Sequence, residues 1–322
     1  MAAAATPTVL ALLGPTGAGK SQFAMQLARE LPIEIVSVDS AQLYRGMDIG
    51  TAKPTPEEQQ AVRHHLIDLR EPEERYSAGE FRRDCLAAIH DIAARGHVPV
   101  LVGGTMLYFR AMFRGIAELP PADPALRGTL DARAAVEGWP ALHAELAVRD
   151  PDSAARIHAN DAQRIQRSLE LLILGGRSVG EAWRATAPPI QRIDWRVVVL
   201  EPADRAALHA RLAARLDAML EAGFVGEVRR LLARGTLDAD TPAMRAVGYR
   251  QLLAFCDGRE TLPMARDKAL YATRQLAKRQ LTWLRSGTLL PPGIQALKID
   301  PLHPDSPERF SAVALQSLAR PC

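Results

Sequence analysis

Apolar runs and helix-period stretches take turns along the first hundred residues. Residues 9–13 and 98–102 are continuous apolar runs, the pattern of parallel strands covered on both faces. Residues 33–38 are apolar and β-branched with imperfect alternation, and predict another buried strand that ends at Asp39. Residues 64–68 read as a third strand or its approach. Between these runs Phe23, Leu27 and Leu31 recur every four residues, so a helix is expected to begin near Lys20. A short helix is expected over 56–60. A longer one over 77–94 would bury Phe81, Leu86, Ile89 and Ile92 and close at Gly96. Strands alternating with helices predict an α/β fold, a parallel sheet flanked by helices.

The pattern changes after about residue 118. From 119 to 195 short amphipathic helices are broken at Pro124, Gly138-Trp139-Pro140, Asp150-Pro151, Gly175-Gly176 and Pro188-Pro189, with no clear strand. This predicts an all-helical insertion. Strand character returns at 196–200, and Asp204 can cap a helix whose buried stripe is Leu208, Leu212, Leu216 and Leu220. Gly223 ends it, and a further helix is expected over 225–233. The segment from Arg266 to Arg285 carries six basic residues and one acid beside an apolar side made by Leu270, Ala277, Leu281 and Leu284. The expected organisation is a core made of 1–118 and 196–290, an insertion of 119–195, and a loosely held C-terminal tail of 291–322.

The stretch Gly14-Pro15-Thr16-Gly17-Ala18-Gly19-Lys20-Ser21 fits G-x-x-x-x-G-K-[ST], and it follows a predicted strand and opens a predicted helix. Its glycines let backbone N–H groups turn inward on an anion, and the helix start adds partial positive charge. Lys20 supplies a cation, and Ser21 can ligate Mg²⁺. The loop therefore predicts a P-loop, NTPase-like sheet with phosphate bound at its edge. Ligands of an open parallel sheet bind beyond the carboxyl ends of its strands, so Asp39 arrives at the same edge. The strand at 98–102 is where a Walker B acid would be sought, yet it runs into Gly103-Gly104-Thr105. One carboxylate beside the loop suits action on an acceptor better than hydrolysis; its alternative role is capping the turn that follows.

Composition narrows the setting. The 322 residues are 48% hydrophobic and 24% charged, and 40 basic against 37 acidic residues leave +3, so any nucleic-acid surface must be a local patch. Cys85, Cys256 and Cys322 are scattered without a C-x-x-C pair, which argues for a reducing compartment and against a zinc site. The N-terminal residues lack basic positions, and the apolar run after them is too short to span a membrane. A cytoplasmic protein without membrane association is expected. Nothing in the pattern suggests a large apolar interface, so a monomer is expected as well.

Several further blocks stand in one order. They are Ser37-Val38-Asp39-Ser40-Ala41-Gln42-Leu43-Tyr44, Gly46-Met47-Asp48-Ile49-Gly50-Thr51-Ala52-Lys53-Pro54, His65-Leu66-Ile67-Asp68, Leu101-Val102-Gly103-Gly104-Thr105, Ala246-Val247-Gly248-Tyr249-Arg250 and Thr273-Arg274-Gln275-Leu276-Ala277-Lys278-Arg279-Gln280. With the glycine loop, they resemble the signatures of the tRNA dimethylallyltransferase family. The likeness runs from residue 9 to about 285, weakest across the insertion and absent from the tail.

The resemblance implies that the loop holds the diphosphate of dimethylallyl diphosphate. The five-carbon group then moves to N6 of the adenine just 3′ of the anticodon of a tRNA. It further implies that Asp39 is the general base and that Ser40, Ala41 and Gln42 contact the adenine. An arginine after the insertion reaches the diphosphate, Arg215 by the motif, with Arg211 open as the alternative. Thr105 matches a position touching tRNA or the leaving group, against a plain turn threonine.

For the anticodon stem-loop three basic segments stand out: Gln163-Arg164-Ile165-Gln166-Arg167, Arg245-Ala246-Val247-Gly248-Tyr249-Arg250, and the run with Lys278, Arg279 and Arg285. The insertion is expected to close over that arm. His64 and His65 read as structural, and Trp139, Trp183 and Trp195 as packing residues. Two other readings remain at this point. One is a P-loop kinase of a nucleoside or small metabolite; the other is a nucleotide-gated RNA-binding protein, for which Asp39 would be dispensable.

Overall fold

Strand β1 (Thr8–Leu13) lies inside a six-stranded sheet with β2 (Ile33–Val38), β3 (His64–His65), β4 (Val98–Gly103), β5 (Asp194–Leu200) and β6 (Ala296–Ile299). The order is β3-β2-β4-β1-β5-β6, and every pairing is parallel. The computed structural model describes residues 6–117, 119–176, 180–181, 193–290 and 293–319. Pro188-Pro189, Trp183, Pro291-Pro292 and Cys322 lie outside the described residues.

The unbroken apolar runs have a direct cause. Val9, Ala11 and Leu13 point into one core cluster and Leu10 and Leu12 into another, because successive side chains of a strand face opposite ways. Helices α1 (Lys20–Leu27), α2 (Pro56–Ala61), α3 (Ala78–Ala94) and α4 (Met106–Arg114) connect the first strands. At the start of α3, Ser77 and Glu80 each bond the other's backbone N–H, a reciprocal cap.

The chain divides into two compact units, 1–114 with 191–322, and 115–190. In the smaller unit α5 (Pro124–Glu137), α6 (Trp139–Arg149), α7 (Pro151–Ala154) and α8 (Ala162–Gly175) bury Leu130, Leu142, Leu146, Ile165 and Leu169. Trp139 packs against that cluster. In the larger unit Trp195 meets Phe113 edge to face. That unit continues with α9 (Arg205–Glu221), α10 (Phe224–Leu232), α11 (Tyr249–Cys256), α12 (Leu262–Arg285) and α13 (Ser306–Ala319). Asp204 caps α9 through the Ala206 and Ala207 N–H groups.

Two expectations are corrected. The C-terminal segment is not loose: β6 pairs with β5, and Phe310 and Ala314 of α13 are fully buried. The Phe310 ring meets Phe23 of α1 edge-on at 5.0 Å. A four-residue strand carries little pattern of its own, and its hydrogen bonds come from β5, far away in sequence. The third strand is also shorter than 64–68, since Leu66 and Asp68 take left-handed backbone angles that end it.

His65 and Glu34 share a 2.6 Å hydrogen bond, and Arg95 holds the same buried carboxylate well below the usual range, at about 2. His65 is thus structural, as expected. Burial lowers the pKa of neighbouring His64, whose Nδ1 contacts the Val62 carbonyl.

The loop Met47-to-Pro54 is ordered by two buried charges. Lys53 donates to the Tyr44 carbonyl, Asp48 and Asp68 at 2.6–2.7 Å. Glu227, 1% exposed, accepts the N–H groups of Asp48, Ile49 and Gly50 and the Tyr249 hydroxyl. Replacing Glu227 by Ala strands four donors and is expected to destabilise the fold by about 3 kcal/mol or more. A thermal melt reads this directly, and a midpoint unchanged from wild type would refute it.

Candidate active site

The glycine loop closes where the strand run predicts. Gly17 and Gly19 both have φ of +80°, and an added Cβ on Gly17 would stand 2.6 Å from Leu212 of α9. Glycine is therefore required there on two counts, backbone angle and space. Lys20 is half-buried, and its ammonium donates to the carbonyls of Gly14 (3.0 Å) and Pro15 (2.8 Å). Burial first, then the charge of Arg215, pulls its pKa down to about 7, while Asp39 pulls the other way. The three charges thus act on one another across the loop.

Asp39 follows β2. Its Oδ1 accepts from the N–H groups of Ala41 (2.8 Å) and Gln42 (3.3 Å), so the turn-capping role is real. Oδ2 makes no hydrogen bond among the described residues, and the side chain borders two cavities. One oxygen orients the carboxylate and the other is available for chemistry. Thr105 Oγ1 accepts from the Ser40 N–H at 3.1 Å, tying the end of β4 to the turn after β2. Gln42 is held at both ends, accepting from Ser37 and donating to the Thr51 and Ala52 carbonyls. Its amide supports the 51–52 backbone.

Arg215 borders both cavities and has no ion pair or hydrogen bond within the structure's described residues. Burial lowers its pKa below the ordinary arginine value, opposed by Asp39 and assisted by Arg211. Arg211 itself lies against the loop, its guanidinium 3.1 Å from where a Gly19 Cβ would stand. Arg215 is thus the arginine that borders the cavities and feels the Asp39 charge, while Arg211 lies against Gly19.

The smaller cavity, about 200 Å³, is bounded by the loop, Lys20 and Ser21. The larger, about 470 Å³, is bounded by Ser40, Ala41, Thr105 and the Arg245-to-Tyr249 segment. Both share Thr16, Asp39, Arg215 and Gln280, so they lie on either side of one partition. Gln280, on α12, stands at that partition. Its Oε1 accepts from the Thr16 N–H at 2.8 Å and its Nε2 donates to the Gly104 carbonyl at 2.9 Å. Its sequence signal was only a glutamine following Lys278 and Arg279.

Other expected RNA contacts divide. Arg250, Lys278 and Arg279 are exposed, and Arg279 and Val247 reach the larger cavity with Ala246 and Gly248. Arg245 also borders it while pairing with exposed Asp240. Arg285 is paired with Glu201. Tyr249 is corrected: fully buried, with its hydroxyl spent on Glu227 and its ring against Phe224, it is not a platform for an unstacked base. In the helical unit Gln163 and Arg164 are exposed, whereas Ile165 is fully buried in that unit's core and is corrected as a contact. Gln166 donates to Asp131, and Arg167 is tied to buried Glu170 and the Pro120 carbonyl, which makes both structural.

No helix of the described residues is long and apolar enough to cross a membrane. No group of three His, Cys, Asp or Glu side chains among them could hold a metal alone. Mg²⁺ needs no such group where phosphates supply ligands, because it keeps waters and takes one or two protein oxygens. The Ser21 hydroxyl, beside Lys20 on the cavity wall, suits that arrangement.

Residues 42–287 match the family model for IPP transferase. A tRNA dimethylallyltransferase of Burkholderia thailandensis is 57% identical over 88% of this chain and 89% of its own length. One of Aromatoleum aromaticum is 53% identical over 98% of each. Among solved structures, a tRNA isopentenylpyrophosphate transferase of Bacillus halodurans is 34% identical with a TM-score of 0.68, over 97% of this chain and 96% of that one. A eukaryotic dimethylallyltransferase described as acting on tRNA is 26% identical with a TM-score of 0.78, over 98% of this chain and 81% of that one. A P-loop α/β sheet, two cavities meeting at one carboxylate and these likenesses agree, and the chain belongs to the IPP transferase family, that of the tRNA dimethylallyltransferases.

Proposed function

We propose that the dimethylallyl group this chain transfers to tRNA comes from dimethylallyl diphosphate and goes to N6 of the adenine immediately 3′ of the anticodon. The carrying observation is the shared partition: Asp39 and Arg215 border both the loop cavity and the larger one. The diphosphate occupies the loop, where backbone N–H groups, Lys20 and Arg215 receive its charge. Mg²⁺ held by Ser21 would add to that neutralisation when bound. The adenine reaches Asp39 from the larger cavity, out of its stack, at a cost an unpaired anticodon loop reduces.

The N6 lone pair forms the new C–N bond as the allylic C–O bond breaks and its electron pair leaves with the diphosphate. Asp39 takes the proton that N6 sheds. Oδ1 is anchored by two N–H groups, so Oδ2 is the oxygen that accepts it. Ser40, Ala41 and Thr105 line the adenine side, and exposed Arg250, Lys278, Arg279, Gln163 and Arg164 supply contacts to the anticodon stem-loop. Residues 115–190 act as the accessory RNA-contacting unit. The protein works in the cytoplasm as a monomer.

Incubation with unmodified tRNA and labelled dimethylallyl diphosphate should move the label into RNA, whereas ATP labelled in its terminal phosphoryl should leave RNA and small metabolites unlabelled. Label transfer from ATP alone would restore the kinase alternative.

A further inference from the structure

We propose that Glu227 is a positioning residue for the acceptor side of the reaction, holding together the two backbone segments that wall the larger cavity. The inference rests on the reading that the adenine enters that cavity. Glu227 lies on α10 and borders neither cavity, so it acts on the reaction only through other residues. Its Oε2 accepts from the Asp48 and Ile49 N–H groups at 2.9 and 2.7 Å. Its Oε1 accepts from the Gly50 N–H at 3.1 Å and from the Tyr249 hydroxyl at 2.5 Å. One carboxylate thus joins the loop 47–54 to the start of α11. Gly50, Thr51, Gly248 and Tyr249 are wall residues of the larger cavity.

Packing sets the same two segments closely against α10. A Cβ on Gly50 would stand 2.1 Å from the Phe224 ring, and one on Gly248, whose φ is +94°, 2.9 Å from it. Both backbones therefore rest on Phe224, three residues before Glu227 and on the same face of the helix. From Gly50 the connections run on to the reacting carboxylate. Gln42 Nε2 donates to the Thr51 and Ala52 carbonyls at 3.3 and 3.0 Å, and the Gln42 N–H donates to Asp39 Oδ1 at 3.3 Å. A shift of the loop would alter both the acceptor cavity and the turn that orients Asp39, and small misplacements at a reacting centre are costly in rate. The phosphate side is built separately: among the described residues, the glycine loop and Lys20 make no hydrogen bond with 47–54.

Glu227→Gln in the full chain tests this. The amide keeps the shape but only one acceptor oxygen, so one pair of donors loses its acceptor. Calorimetric titration with pyrophosphate counts the intact sites, and transfer from dimethylallyl diphosphate to unmodified tRNA is then measured per site. The expected result is a fall of about tenfold in kcat/KM for tRNA, about what one buried hydrogen-bonded group contributes. Pyrophosphate affinity and the KM for dimethylallyl diphosphate should stay as in wild type. A residue that serves stability alone would lower the melting temperature and the number of sites but not the rate per site. That result overturns the proposal, as does a loss of pyrophosphate affinity matching the loss for tRNA. Should Glu227→Gln fail to fold, Tyr249→Phe takes its place, since it deletes one donor to the carboxylate and keeps the buried ring. A fall of about threefold or more in kcat/KM for tRNA is expected of it, and an unchanged value overturns the proposal. The acceptor reading has its own control: label entering an anticodon stem-loop with guanine in place of that adenine would sink that reading, whatever the Glu227→Gln ratio.

Discussion

Asp39→Ala is expected to lower transfer by about 10²-fold to 10⁴-fold, the range of a positioned general base, with tRNA affinity nearly intact. The exocyclic nitrogen of adenine shares its lone pair with the ring and must lose a proton as the C–N bond forms. Asp39 is the carboxylate that borders both cavities. Alanine also removes the acceptor for the Ala41 and Gln42 N–H groups, so some of its effect will be a loosened turn.

Asp39→Asn separates the two roles. Its amide oxygen still accepts from those N–H groups, but it cannot take a proton. Single-turnover transfer should therefore fall nearly as far in Asn as in Ala, while the asparagine variant keeps the wild-type melting temperature. Near-normal transfer by Asp39→Asn would mean that Asp39 only caps the turn.

The second large effect concerns Lys20. Lys20→Ala is expected to reduce transfer by about 10²-fold to 10³-fold, since in the proposed reaction it removes a preorganised cation from the departing diphosphate. In the free protein, burial and Arg215 bring its pKa down to about 7. The charged form is the one that binds an anion, and it is present below that pH and lost above it. Pyrophosphate affinity contributed by Lys20 should therefore decline as pH rises past about 7, by at most about tenfold per pH unit.

Pyrophosphate also ionises in this range, but equally for both proteins. The ratio of wild-type to Lys20→Ala affinity between about pH 6 and about pH 9 isolates the lysine. A ratio constant across that span would show that Lys20 stays charged throughout.

The kinase reading is displaced by the family to which the chain belongs. A loop of this pattern recognises phosphate oxygens whatever they are attached to, so the loop by itself fits either reading. What separates the cases is the neighbourhood: an acid beyond β2, and none at the Gly103-Gly104-Thr105 end of β4.

Local pattern alone determined the strands of the sheet interior, the glycine loop and the placement of Asp39 at its edge. Those features depend on residues close in sequence: an apolar run buried on both faces, a cap at Asp204, glycines that accept left-handed angles. Only the tertiary structure decided which polar side chains face a substrate. Tyr249 and Arg167 look like surface groups in sequence, yet Glu227 and Glu170 turn them inward. Gln280 acquires its place from Thr16 and Gly104, 264 and 176 residues away. The edge strand β6 is likewise defined by hydrogen bonds to β5. A hydrogen bond or ion pair between distant segments satisfies a buried polar group without leaving any periodicity in the chain, so it becomes visible only once the chain has folded.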